Sequence, residues 1–457
     1  MIPLAHEADV IIVGAGLSGM IAAREVLKAG LEPLILEADT RVGGRILTEQ
    51  VAPGISIEVG AQWIGDTFDK MFALAADLGV ETFPQFEEGE TTYEICGPVM
   101  RESEFHERNA KDLEGVQQTL DKIDEMSSTI DLQAPWLSPH ANEWDRITGG
   151  AWYDSLGLAP VARTMMEICT VGILGVPTHE ASLLDMLYNV QVCGVTSEIF
   201  AESEGGAQTT RFVGGTSEIP NRLAATLGDR IILDAFVQTI EYTNDSVKVI
   251  CRNGVVATGK QVIVAIAPTL AGRITYDPPL PGIRDQMTQR IAQASAVKVF
   301  AIYDEPFWRE EGLNGQLISD IGPARMSNDS CMPEGADGPG IILGFLEGEE
   351  ARTFGRLSED ELHAKVAEEF GRHFGPRAAK PEMVVSGEWA NRPFTRGCYN
   401  ANFGPFGWTH FGSALSAPIG PIKWGATETA TAWSGYMEGA VDSGERAAKE
   451  VIEAISG

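Results

Sequence analysis

Three glycines and one carboxylate are the first residues of this chain whose types and spacing could do chemistry. In VIIVGAGLSGM, Gly14, Gly16 and Gly19 stand at GxGxxG spacing, with Ser18 inside the turn, between an apolar run at 10–13 and a helical stretch. Such glycines permit a tight turn, close backbone approach to a pyrophosphate, and close packing of helix on strand. Glu37 lies 18 residues past Gly19, at the end of the next apolar run. A carboxylate there accepts the hydroxyl hydrogens of an adenosine ribose, so the set predicts a dinucleotide site. A second glycine turn, RVGGR at 41–45, follows at once. Farther on, Lys298 is flanked by Ala296, Val297, Val299 and Phe300. An ammonium in such a strand is costly to bury without partners, which favours a functional position. The six cysteines, Cys96, Cys169, Cys193, Cys251, Cys331 and Cys398, are widely spaced. With no CxxC pair and no Cys/His cluster they predict separate thiols of a reducing compartment and no metal site.

The elements that must position these groups are legible in outline. Residues 9–40 read as strand, helix, strand, a βαβ unit. Residues 231–267 read as successive strands, with Asn253-Gly254 turning a hairpin after Val247–Cys251. Helical spacing is expected over 104–130, 159–190 and 358–374, with Pro135, Pro139 and Pro177 punctuating loops. The last segment predicts a short strand near Ile422, then a helix over about 436–455. The fold class is therefore mixed α/β.

Composition narrows the partners. The chain has 457 residues, 44% of them apolar, ample for a large core. Its 65 acidic and 34 basic residues leave a net charge of -31, which opposes nucleic acid and anionic lipid headgroups. That charge fits a self-repelling, soluble surface, with inward steering of cationic substrates as the sharper alternative. Apolar runs such as 262–267 fall far short of the ~20 residues that cross a bilayer. No basic n-region or apolar h-region opens the chain. A soluble cytoplasmic protein is expected, and a homodimer is left open.

Two further features carry a resemblance. The glycine turn after the ribose carboxylate resembles the FAD-binding Rossmann group. From Gly397 the chain reads GCYNANFGPFGWTHFGSALSAPIGPIKWGATETATAWSGYMEGAVDSGERAAKEVI, which resembles the flavin-dependent monoamine oxidases. GGAQTTRFVGG at 205–215, IAPTLAGRITYDPPLP at 266–281 and VKVFAIYDEPFW at 297–308 resemble them too; 81–180 and 310–380 do so only loosely. The resemblance implies an FAD domain assembled from 1–80, 206–297 and 390–457, with a substrate domain from 81–205 and 298–389. It implies that Tyr399 and Tyr436 form an aromatic cage guiding an amine to the flavin, and that Lys298 holds a water against flavin N5. It places Glu37, Arg45, Gly60, Ala61, Gln62, Trp63, Val237, Trp389, Glu428 and Met437 around FAD. Cys398 stands where some members carry a covalent flavin link.

The implied reaction is FAD-dependent oxidation of a primary or secondary amine to an imine, then an aldehyde or ketone, with O2 reduced to H2O2. No side chain has the look of a strong general base, so the cofactor carries the chemistry. Cys193, Ile199, Phe200, Gln208 and Met326 are expected to face substrate. Arg325, beside Met326, would repel a second positive charge if it pointed inward, which favours a mono-amine with an apolar body. An L-amino acid or polyamine oxidase on the same scaffold, and an amine dehydrogenase using a protein acceptor, remain the alternatives.

Overall fold

The structure, a computed structural model, describes residues 5–196, 205–333 and 338–457. Ile199 and Phe200 lie outside the described residues. The βαβ unit forms as expected, from strand Val10–Val13, helix Leu17–Lys28 and strand Pro33–Leu36. Both strands belong to a five-stranded parallel sheet in the order Ile231–Ile232, Pro33–Leu36, Val10–Val13, Gln261–Val264, Ile422–Trp424. Val10–Val13 and Gln261–Val264 are buried throughout, which is why both read as unbroken apolar runs rather than as alternation. The C-terminal helix Met437–Ser456 packs on Leu17–Lys28, and the Ser18 hydroxyl donates to the Ala440 carbonyl at 2.9 Å. Gly444 makes the approach possible: a Cβ there would lie 2.5 Å from the Ser18 carbonyl oxygen.

Residues 231–267 are mostly strand. Val247–Cys251 pairs antiparallel with Val256–Gly259, and Gly254 turns the hairpin at φ 92°. These belong to a second five-stranded sheet with Ala5–Glu7, Val237–Tyr242 and Thr275–Asp277. The helical expectations also hold: Glu102–Arg108 and Ala110–Ser127, Pro160–Leu174 and Leu183–Cys193, and Glu359–Phe374. Ser358 and Glu361 close a capping box on the last of these.

A seven-stranded sheet occupies the region that the sequence left least defined. Its order is Met383–Glu388, Ala296–Tyr303, Gly340–Glu347, Met326–Asp329, Leu313–Ser319, Glu90–Glu94, Met100–Arg101. Ala296–Tyr303 and Gly340–Glu347 are buried along their whole length and pair antiparallel, with Lys298 opposite Phe345 and Ala296 opposite Glu347. The fold is mixed α/β with a Rossmann-type parallel sheet. Among the described residues, no helix is long and apolar enough to cross a membrane.

Candidate active site

One cavity of about 1060 Å³ is lined from the parallel sheet, the seven-stranded sheet and the helices Pro160–Leu174 and Leu183–Cys193. At one end lies the glycine turn. Gly14 has φ 102°, and a Cβ would meet Ile266 at 2.7 Å. Gly16 caps Leu17–Lys28 with no side chain satisfying the helix end, and a Cβ on it would meet nothing within 4 Å. Open space in front of uncapped helical N–H groups is an anion cradle. Gly19 is not in the lining; a Cβ there would sit 2.1 Å from the Gly14 carbonyl oxygen, so this glycine serves helix-on-strand packing. Glu37 lines the same end, accepting from the Ala15 N–H at 2.6 Å and the Asp39 N–H at 2.8 Å. Burial raises its pKa, while those two N–H groups oppose the rise. Val237 lines the cavity beside it.

Arg45 joins three distant segments. Its guanidinium donates to both Glu428 oxygens, at 2.8 and 3.2 Å, and to the Tyr399 carbonyl at 2.6 Å. Glu428 itself stands behind the cavity wall, fixing Arg45. Gly60 is required by close approach, since a Cβ there would lie 2.2 Å from the Arg45 carbonyl oxygen. Gly60, Ala61, Gln62 and Trp63 then follow the wall, as do Ser18, Trp389 and Met437. Trp389 is anchored by its indole N–H on the Val59 carbonyl at 2.9 Å.

Lys298 is buried and lines the cavity from its strand. Its Nζ donates to the carbonyls of Glu58 at 3.0 Å and Gly60 at 2.7 Å, and to Gln62 Oε1 at 3.2 Å. It also sits 5.2 Å from the Trp63 ring and 5.3 Å from the Phe345 ring. Burial pushes its pKa down to about 7, while the Glu58 carboxylate pulls the other way. Three acceptors and two ring faces are what allow an ammonium in an apolar strand.

Tyr399, Tyr436 and Cys398 meet in the same cavity. Tyr436 precedes the first turn of Met437–Ser456 and packs edge-on against Trp433 and Phe68, with ring centroids 5.1 and 5.9 Å away. Tyr399 donates its hydroxyl to Glu347 at 2.6 Å. Cys398 is buried, and desolvation pushes its thiol up to about 12 against the pull of Lys298 and Arg45. Gly397, at φ 135°, lets the chain pass: a Cβ would lie 2.4 Å from the Ala294 carbonyl oxygen.

Cys193, Gln208 and Met326 line the cavity. Arg325 does not bear on it: its guanidinium pairs with Glu350 and donates to the Ser319 carbonyl, so it gives no ground for judging a second positive charge. Sequence reasoning missed Glu347, Phe345, Ile173 and Asn189, all in the lining. Phe345 and Glu347 had one available signal, the alternation of their strand opposite Lys298 and Ala296, which becomes visible only once the pairing is known.

Comparison with known proteins agrees with this geometry. Residues 17–452 match the family model for flavin containing amine oxidoreductases. The chain is 36% identical over 452 residues to a probable flavin-containing monoamine oxidase A of Dictyostelium discoideum, covering 98% of each protein. It is 34% identical over 465 residues to human flavin-containing amine oxidase B, covering 99% of this chain and 87% of that protein. Among solved structures it resembles putrescine oxidase bound to putrescine (TM-score 0.92, 30% identity, 98% of this chain and 100% of that one). It also resembles cyclohexylamine oxidase from Brevibacterium oxydans IH-35A (TM-score 0.92, 29% identity, the same coverage). The chain belongs to the flavin-containing amine oxidoreductases, and its chemistry is FAD-dependent amine oxidation.

Proposed function

We propose that this cavity binds FAD along its glycine-turn end and oxidises a primary or secondary amine between Tyr399 and Tyr436. The observation carrying the reading is that one cavity joins the uncapped helix at Gly16, the Glu37 carboxylate, Lys298 and both tyrosines. The residues fit the cofactor: open space before Gly16 suits a pyrophosphate, and the Glu37 carboxylate suits ribose hydroxyls. When bound, FAD supplies the two-electron acceptor for the carbon–hydrogen bond beside the amine nitrogen, with O2 as the final acceptor.

The chain's own residues do the rest. Tyr399 and Tyr436 offer ring faces that orient the amine, and the Glu347 carboxylate fixes the direction of the Tyr399 hydroxyl. Lys298 is positioned to order a water: of its three acceptors the Gln62 side chain, at 3.2 Å, is the one a water can replace without moving backbone. Arg45 holds the wall by gripping Glu428 and the Tyr399 carbonyl. Cys398 is the residue that would form a thioether to the flavin. The division into an FAD domain (1–80, 206–297, 390–457) and a substrate domain (81–205, 298–389) is supported by the sheets. Every strand of the parallel sheet falls in the first set, and nearly all of the seven-stranded sheet lies in the second.

A peroxide-coupled screen of aliphatic, cyclic, aromatic and di-amines tests the reading. Peroxide released stoichiometrically with an aldehyde or ketone is expected. A flavin-loaded protein silent towards the whole panel would defeat it.

A further inference from the structure

The segment GGAQTTRFVGG at 205–215 reaches the cavity lining only at Ala207 and Gln208; its other end closes over a carboxylate behind the Lys298 wall. That carboxylate is Glu58, 3% exposed and outside the lining. Its Oε1 accepts the Thr216 N–H at 2.8 Å and its Oε2 the Thr48 hydroxyl at 2.8 Å. The Thr48 oxygen itself accepts the Ser217 N–H at 3.0 Å, which leaves its hydroxyl hydrogen for the carboxylate. One donor on each oxygen suits the ionised form. Gly215, at φ 92°, lets the turn pass, since a Cβ there would lie 2.8 Å from Oε1.

Two buried cations share this neighbourhood, and neutral carbonyls hold both. Lys298 Nζ donates to the backbone carbonyl of Glu58 itself at 3.0 Å. Arg211, also 3% exposed, donates to the Cys331 and Ser330 carbonyls at 2.7 and 3.3 Å, and its Nε is buried without a hydrogen-bond partner. Burial lowers the pKa of each cation, and the Glu58 carboxylate is the foremost charge opposing that fall in both. Arg211 acts on Lys298 in the other direction, as a like charge. Cys398 and Glu347 also face Lys298 and favour its ammonium, while Asp329, which faces Arg211, is already paired with Arg309 at 2.8 Å.

We propose that Glu58 is a positioning residue that keeps Lys298 an ammonium within its apolar strand, with Arg211 as the opposing charge, and so governs how fast O2 is reduced in this site. The inference deepens the proposed reading, in which Lys298 stands beside the flavin. To become H2O2, O2 takes two electrons and one proton from the reduced flavin anion and a second proton from solvent. Negative charge builds on oxygen as the electrons arrive, and a fixed ammonium beside it stabilises that charge.

The test uses FAD-loaded enzyme reduced photochemically, without amine, and mixed with O2 across a pH series. The same series is read a second way, as the absorbance of the resting oxidised flavin, which registers a charge change beside it and involves no turnover. Both readouts should show a step near pH 7 in the wild type that is absent from Lys298→Met. Glu58→Gln should move the step to lower pH by about one unit or more, so that reoxidation well above pH 7 slows roughly ten-fold. Arg211→Gln, which keeps an amide donor for the carbonyls, should move the step to higher pH, and it carries the test if the first variant fails to fold. Flavin reduction by a saturating amine should stay within about two-fold of wild type in both variants. A step unmoved by either substitution, or moved the same way by both, overturns the inference, since damage to the fold has no reason to follow the sign of the charge removed. A step that survives in Lys298→Met overturns it as well. Because reduction here is photochemical, a protein that no amine reduces would defeat the amine-oxidising reading and still leave this inference decided by its own steps.

Discussion

Arg45 and Glu428, 383 positions apart in the chain, face each other in a two-pronged pair at 2.8 and 3.2 Å. Glu428 is almost wholly buried, and the same guanidinium reaches the Tyr399 carbonyl. The pair ties the turn after Glu37 to the segment entering the last helix, and Arg45 holds the Tyr399 backbone to the same point.

Lysine cannot reproduce a planar fork. Arg45→Lys should lower Tm by several degrees and weaken flavin retention on desalting, because Glu428 is left buried with an incomplete partner, a loss on the order of 3 kcal/mol. Melting and flavin content measured side by side check this, and unchanged values for both would remove the pair from the architecture of the site.

Tyr436 lines the cavity and packs against Trp433 and Phe68. Tyr436→Leu should keep FAD while kcat/KM for a good amine falls roughly ten-fold or more, about 1.4 kcal/mol. Unchanged kinetics in flavin-loaded protein would take Tyr436 out of the substrate path.

Burial raises Glu347 from its ordinary value to about 7. A carboxyl group whose folded pKa exceeds its unfolded one contributes stability that is full below the unfolded value, near 4.5, and is lost as pH rises through about 7. Asp185, also raised to about 7, titrates in the same window, so the comparison must be differential. Glu347→Gln, neutral at every pH, should lose less stability than wild type between those limits, as read by denaturant melts at several pH values. Parallel profiles would mean that Glu347 ionises freely in the folded protein.

Cys398 tests the covalent link. Acid precipitation should leave yellow colour in the wild-type pellet and a polypeptide heavier by one FAD on denaturing mass spectrometry, while Cys398→Ala releases its flavin. Since burial pushes this thiol up to about 12, the link should form more slowly as pH falls. A colourless wild-type pellet would leave Cys398 as a packed thiol.

The glycine turn was legible because its signal is local: strand, turn and helix each announce themselves within a few residues. Lys298 was legible because a charge inside an apolar run contradicts its surroundings. Glu347 was not, since GFLEGEE reads as the start of an acidic surface, and only pairing with Ala296 turns that carboxylate inward. Arg325 could not be oriented from sequence for a similar reason, its direction being set by Glu350 on another element. The seven-stranded sheet joins Glu90–Glu94 to Leu313–Ser319 in parallel, a long-range pairing that no local pattern encodes. Gly19 and Glu428 stand outside the lining, and each acts on a neighbour: Gly19 on the packing of helix against Gly14, Glu428 on Arg45.

The most direct measurement is anaerobic: the FAD-loaded enzyme is mixed with an amine in a stopped-flow spectrometer and the oxidised-flavin absorbance followed. The account predicts single-turnover bleaching at a rate that saturates with amine concentration, with colour returning when O2 is admitted and one H2O2 formed per flavin. An oxidised spectrum unchanged by any amine of a broad panel would contradict it.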